Sequence, residues 1–249
     1  MVTATSPLLN DWRQIASAFD QIDFLSLDAV KCICEYFKSK WLSTDVKNRV
    51  QKFVNLKHKS PLILQLLGQI QTIQHHAQSN MHSNPEAKSK LCKRMKFLEV
   101  FAFNNVNLYA IEKANGLKIV MDTLVMLNAS KQGDTDPQLT QSSTELIEHI
   151  MIVLSVILRN ESGAISFLNQ NRAYVGNLAN NFREHKKNEK VMKPTILVIR
   201  LLLVNEESVD MFTKQFKGLD SMIKLLLGSS ICDFTICTHL MFSKYQIEN

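Results

Sequence analysis

The chain has 249 residues, 45% of them hydrophobic and 21% charged, with a formal net charge of +6. That apolar content can bury a substantial core, and only seven glycines and five prolines argue against an all-β or loop-rich fold. Five cysteines, an odd number, cannot all pair within the chain and point to a reducing compartment, while the modest positive charge permits an acidic partner without demanding one.

The opening MVTATSPLLNDW lacks the basic and apolar regions of a secretory leader. Residues 1–85 are expected to form a divergent helical cap. Leu8, Trp12, Ile15 and Phe19 mark one helical face. Leu27, Val30, Cys34 and Phe37 mark another, with Ser26 as its N-cap. Val46, Val50 and Phe53 fit a short third helix. Ser60-Pro61 is a good helix start, and Ile63, Leu66, Leu67 and Ile70 follow at i, i+3, i+4, i+7. The polar run HHAQSNMHSNP at residues 75–85 reads as an inter-helix loop, with Asn84-Pro85 starting the next helix.

From residue 86 onward one order of events recurs. Asn105 follows KRMKFLEVFAFN and precedes VNLYAIEKANG. Asn160 follows HIMIVLSVILR and precedes ESGAISFLNQN. Asn205 ends the apolar part of the stretch at residues 190–229. These anchors lie 55 and 45 residues apart, periods typical of stacked helical units, and the longer interval holds SKQGDTDPQLTQ at 130–141, which reads as a loop insertion. After each anchor an apolar stripe appears at helical spacing: Leu117, Val120, Met121 and Leu124; Val175, Leu178, Ala179 and Phe182; Leu219, Met222, Ile223 and Leu226. Eleven residues after the anchor stand Gly116 and Asn171, both tolerant of a left-handed turn; in the third unit Phe216 is there and Gly218 comes two residues later. The apolar runs at 150–158 and 196–204 are broken by Ser155 and Arg200 and are too short to span a bilayer. A soluble protein of the cytoplasm or nucleus, without membrane contact, is expected.

A short helix, a tight turn, a second helix and a longer buried third helix resemble the armadillo repeat. The segments NEESVDMFTKQFKGLDSMIKLLL and NNVNLYAIEKANGLKIVMDTL carry the likeness, which covers residues 86–249 in about three units. The resemblance implies an all-α, right-handed superhelix of stacked repeats, an α-solenoid. Its groove, lined by third helices, would hold an extended peptide. The groove positions that grip peptide in armadillo proteins match Val100, Ser155 and Arg200 here, none of them asparagine.

Several residue sets invite a chemical reading. His75, His76 and His82 lie close together, but without the spacing of a zinc site. Cys32 and Cys34 diverge on a helix, as do Cys232 and Cys237, and no CxxC pair is present, so these read as small hydrophobes. His149 sits beside Glu148 with Ser155 further along, but no serine elbow, phosphate loop or paired-histidine helix accompanies them. No enzyme, metal or cofactor is therefore expected. Two basic clusters stand out: Lys88, Lys90, Lys93, Arg94 and Lys96, and then Arg183, His185, Lys186, Lys187, Lys190 and Lys193. They read as a solvated helix face and a solvated loop, or else as one electropositive patch.

The leading expectation is a non-catalytic scaffold or adaptor that binds a protein partner, an acidic or extended peptide, with Arg200 as an anchor. Otherwise Arg200 reaches solvent or pairs with Glu206. The second reading is a nucleic-acid-associated helical repeat using the basic clusters; the lack of interleaved aromatics weighs against base stacking.

Overall fold

A computed structural model describes residues 21–40, 62–78, 80–81, 83–103, 105–129, 137–160, 163–185, 188–205 and 207–209. Among the described residues there are nine α-helices and no strand, so the all-α expectation holds. They are α1 (Leu27–Lys40), α2 (Leu62–Ala77), α3 (Pro85–Ala102), α4 (Asn105–Lys113), α5 (Gly116–Ala129), α6 (Pro137–Asn160), α7 (Ala164–Gln170), α8 (Arg172–Glu184) and α9 (Glu189–Leu202). The elements expected at residues 8–19 and 46–53, the third unit beyond residue 209 and the pair Cys232/Cys237 lie outside the described residues.

The helix starts follow local chemistry. At α1 the Ser26 hydroxyl accepts from the Ala29 amide at 3.1 Å. At α3 the Asn84 side chain accepts from Ala87 at 2.9 Å and Pro85 takes the first turn, where no amide is needed. Asn188 caps α9 by accepting from Lys190 and Val191, with Glu189 in the first turn. The apolar stripes point inward: Ile63, Leu66, Leu67 and Ile70 on α2, Leu117, Val120, Met121 and Leu124 on α5, and Val175, Leu178, Ala179 and Phe182 on α8 are all buried. A fully buried side chain of this size contributes about 1.5–3 kcal/mol.

Two rows of helices result. α6 packs most extensively on α3 and on α9, giving the row α3–α6–α9; α2 touches α5 and α5 touches α8, giving the second row. Across the rows α2 packs on α3, α5 on α6 and α8 on α9, while the short α4 and α7 sit at the turns and α1 covers α3. Polar bonds tie the second row together. Gln74 donates to the Thr123 hydroxyl at 2.6 Å, Asn128 to Asn177 at 3.0 Å, and Tyr174 to Asp122 at 2.6 Å.

Three local expectations need correction. His75 and His76 belong to the last turn of α2 rather than to a loop, because the apolar phase of that helix carries through to the buried Ala77. α6 begins at Pro137, inside the expected insertion, since proline suits the first helical turn. α6 thus outlasts its apolar run: its Gln141–Arg159 segment is long and apolar enough to cross a membrane, yet 61% of it is buried against neighbouring helices, as in a core helix.

The tight turn also differs. The left-handed residue is Asn115, at φ 54°, one position before Gly116, while Asn171 has φ −113°. Glycine at 116 serves close approach instead. A Cβ there would collide with the Ile111 side chain and lie 2.9 Å from the Ile111 carbonyl oxygen, which is backbone and cannot swing aside. Gly116→Ala should therefore destabilise the fold by about 1–3 kcal/mol, the usual cost of overpacking. Urea denaturation checks this; unchanged stability would show that α4 and α5 separate freely.

Candidate functional site

The three expected groove positions do not share one surface. Val100 is 2% exposed and Ser155 6%, and the Ser155 hydroxyl donates to the Ile152 carbonyl at 2.7 Å. Both sit on helices of the row α3–α6–α9 with neighbours on several sides, so neither is open to a peptide. Arg200 differs. It is half-buried on α9, and its side chain makes no ion pair or hydrogen bond among the described residues. The outward stripe of α9 runs Lys190, Lys193, Leu197, Arg200, and Val204, 69% exposed, follows in the turn just past the helix end. These positions recur at helical spacing, so one face carries both cations and apolar groups.

The first basic cluster is not a solvated face. Lys88 is 1% exposed, and Lys93, Arg94 and Lys96 are likewise buried. The Lys93 ammonium donates to the Asp23 carbonyl oxygen at 3.0 Å. Arg94 donates to the Asp23 carboxylate at 2.8 Å and to Gln69 at 3.0 Å, which fastens the segment before α1 and helix α2 to α3. Lys90 pairs with Glu86 at 2.7 Å across one helical turn. The cause is coverage: α3 is packed by α1, α2, α4 and α6, so its cations bury their stems and end on acceptors from those elements. In the second cluster Arg183, Lys190 and Lys193 are exposed. Arg183 donates to Asn180 and Lys193 pairs with Glu189, while Lys186 and Lys187 lie outside the described residues. The two clusters therefore do not make one patch.

Sequence reading missed a buried polar seam between α3 and α6. His149, 8% exposed, shares a 2.7 Å hydrogen bond through Nδ1 with Glu99 Oε2, and Glu99 is 5% exposed. One turn earlier on α6, Glu145 Oε1 accepts from Lys96 at 3.3 Å and pairs with Lys31 of α1 at 3.3 Å. Burial alone would raise the Glu145 pKa, but the Lys96 and Lys31 ammoniums hold it below the ordinary value. Cys92 of α3 lies beside them. Burial, helped by the Glu145 charge, pushes its thiol up to about 12, so it stays protonated. The sequence signal was the i, i+4 pair Glu145/His149 facing the i, i+7 pair Cys92/Glu99. Each pair alone is ordinary, and only the helix pairing joins them. A hydrolytic Cys–His–Glu arrangement does not follow, because a thiol 3% exposed offers no approach to a substrate. His75 and His76 are exposed with ring centroids 5.9 Å apart; Cys32 is exposed and Cys34 buried, so the two do diverge.

The Asp23–Arg94 pair gives a pH prediction. The Arg94 hydrogen bond and charge hold the Asp23 carboxyl below its ordinary value of 3.8. A depressed folded pKa contributes stability that is present above 3.8 and lost as pH falls through the folded value. Asp23→Asn should cost about 1–2 kcal/mol at neutral pH, less than the ~3–5 of a fully buried pair because water screens Asp23. The gap to wild type should close as the pH drops below 3.8. Thermal melts across that range test it, and a gap that persists in acid would deny the ion pair its role.

No protein-family model matches the chain, and no curated protein or solved structure matches it either.

Proposed function

We propose that the protein is a non-catalytic, armadillo-like helical-repeat scaffold that holds an acidic or extended peptide of a protein partner on the surface carrying Arg200. The observation that carries this reading is a common sequence offset in the bonds between packed helices. Gln74–Thr123, Lys96–Glu145 and Asn128–Asn177 each join residues 49 apart, Glu99–His149 residues 50 apart, and Asp122–Tyr174 residues 52 apart. Bonds at a near-constant offset of 49–52 across three helix interfaces are what stacking of similar units produces, since each unit contacts its neighbours through equivalent positions. The long–short–medium order of α3, α4, α5 and of α6, α7, α8 supports the same reading, with 18, 9 and 14 residues followed by 24, 7 and 13.

Arg200 is the anchor. A guanidinium without a partner among the described residues, on a half-apolar stripe, can take a carboxylate or backbone carbonyls bidentately, with Leu197 and Val204 offering apolar contact. The inward turn of Lys93, Arg94 and Lys96 removes half of the basic surface that a nucleic-acid reading needs, so protein is the favoured partner class.

Capture of partners from a native extract with nuclease added, followed by titration of the purified partner, tests the reading. Arg200→Ala should leave the melting curve unchanged and weaken binding by about 1–3 kcal/mol, the range of an interface anchor. Binding should also fall only gently with salt. A steep salt slope with loss of capture after nuclease would point to nucleic acid; full affinity in folded Arg200→Ala would remove Arg200 from the site.

A further inference from the structure

We propose that Cys92, Glu145 and His149 form a binding site for a thiophilic divalent transition-metal ion, of which zinc fits best. Their ligand atoms lie within 4.8 Å of one another, on two helices that pack along their length. A tetrahedral zinc ion, with bonds of about 2.0–2.3 Å, sets its ligand atoms roughly 3.3–3.8 Å apart. The cluster must therefore close by about 1 Å, which side-chain rotation can supply. Helix bundles place metal sites in this way, with ligands projecting from facing helices.

A second observation points the same way. Among the described residues, the buried His149 Nε2 has no hydrogen-bond partner. Glu99 occupies the other ring nitrogen, Nδ1, at 2.7 Å. A carboxylate can only accept, so the proton belongs on Nδ1 and the lone pair on Nε2. This is the tautomer a metal needs, and a carboxylate behind the distal nitrogen is the usual support of a metal-bound histidine. An orphaned buried acceptor otherwise costs stability, and a metal ion would satisfy it.

The charges also close. Near the site stand the ammoniums of Lys31 and Lys96 and the carboxylates of Glu99, Glu145 and Glu148, a net charge of −1. Zinc brings two positive charges, and the Cys92 proton leaves to solvent as the sulfur binds, so the site becomes neutral. Glu145 can keep its lysine contacts, which both use Oε1, because a carboxylate has a second oxygen. The sulfur ligand and the borderline-soft imidazole favour zinc over calcium or magnesium, which take oxygen ligands.

Equilibrium dialysis of the chelator-treated full chain against zinc, with metal analysis, gives the stoichiometry. Cobalt substitution gives the ligand set through its thiolate-to-metal charge-transfer band. The expected result is one zinc per chain, a cobalt–thiolate band, and loss of both in Cys92→Ser but not in Cys32→Ser. Glu99→Gln should weaken zinc binding by about 10–100-fold, as loss of a supporting carboxylate does. If circular dichroism shows Cys92→Ser unfolded, the cobalt band in a variant with Cys32, Cys34, Cys232 and Cys237 all replaced by serine decides, since only Cys92 can then supply the sulfur. The proposal is overturned if folded wild type takes up no stoichiometric zinc, if cobalt binds without the band, or if folded Cys92→Ser binds as wild type does. It is equally overturned if uptake is lost on replacing the exposed His75 and His76 with alanine.

Discussion

The constraint behind the rest of the structure is that α6 is covered on both flanks, by α3 and by α9. From Leu146 to Leu158 nearly every position is buried. A helix in that position gains apolar burial on most of its circumference, but each polar side chain it carries must find a partner inside. Ser155 turns back to its own helix, His149 takes Glu99, and Glu145 takes two lysines. The partners come from α3 and α1, so the polar groups dictate which helices lie beside α6 and at what height. An apolar seam could slide by a turn at modest cost. A seam with Glu99–His149 and Lys96–Glu145 cannot, since a shift would leave buried charges unpaired, at several kcal/mol each.

The second row uses mostly neutral groups for the same purpose, with the Asp122 carboxylate as the exception. Gln74, Thr123, Asp122, Tyr174, Asn128 and Asn177 bridge α2 to α5 and α5 to α8. Burial and the Asp122 bond together raise the Tyr174 pKa, so the phenol remains a donor throughout the physiological range. Asn181 of α8 reaches Thr195 of α9 in the buried interface between the rows. The helices are thus joined by hydrogen bonds as well as by apolar contact.

Helix phase was legible in the sequence because it depends on one chain segment at a time. The stripes on α2, α5 and α8 and the caps at Ser26 and Asn84 needed only local spacing. What depends on two segments was not legible. Lys93, Arg94 and Lys96 look like a solvated face because cations usually are, and only the placement of Asp23 and Glu145 turns them inward. Val100 and Ser155 matched a groove position by alignment, but coverage on several sides closes it. The Cys92–Glu145–His149 cluster was invisible for the same reason, since its halves lie about 50 residues apart and neither half is a recognised motif alone. The turn at Asn115 shows a finer limit: asparagine and glycine both suit a left-handed backbone, and the contact with Ile111 decides which of them takes it.

Native-state hydrogen exchange tests the central claim, that α6 is the hub on which the rows depend. Amides of α6 between residues 146 and 158, with those of α3 facing them, should exchange only through global unfolding and be the slowest in the chain. Amides of α1 and α9, each packed on one flank of the row, should open earlier and more cheaply. Exchange in α6 as fast as in α9 would contradict the account, because the seam would then not be holding the helices together.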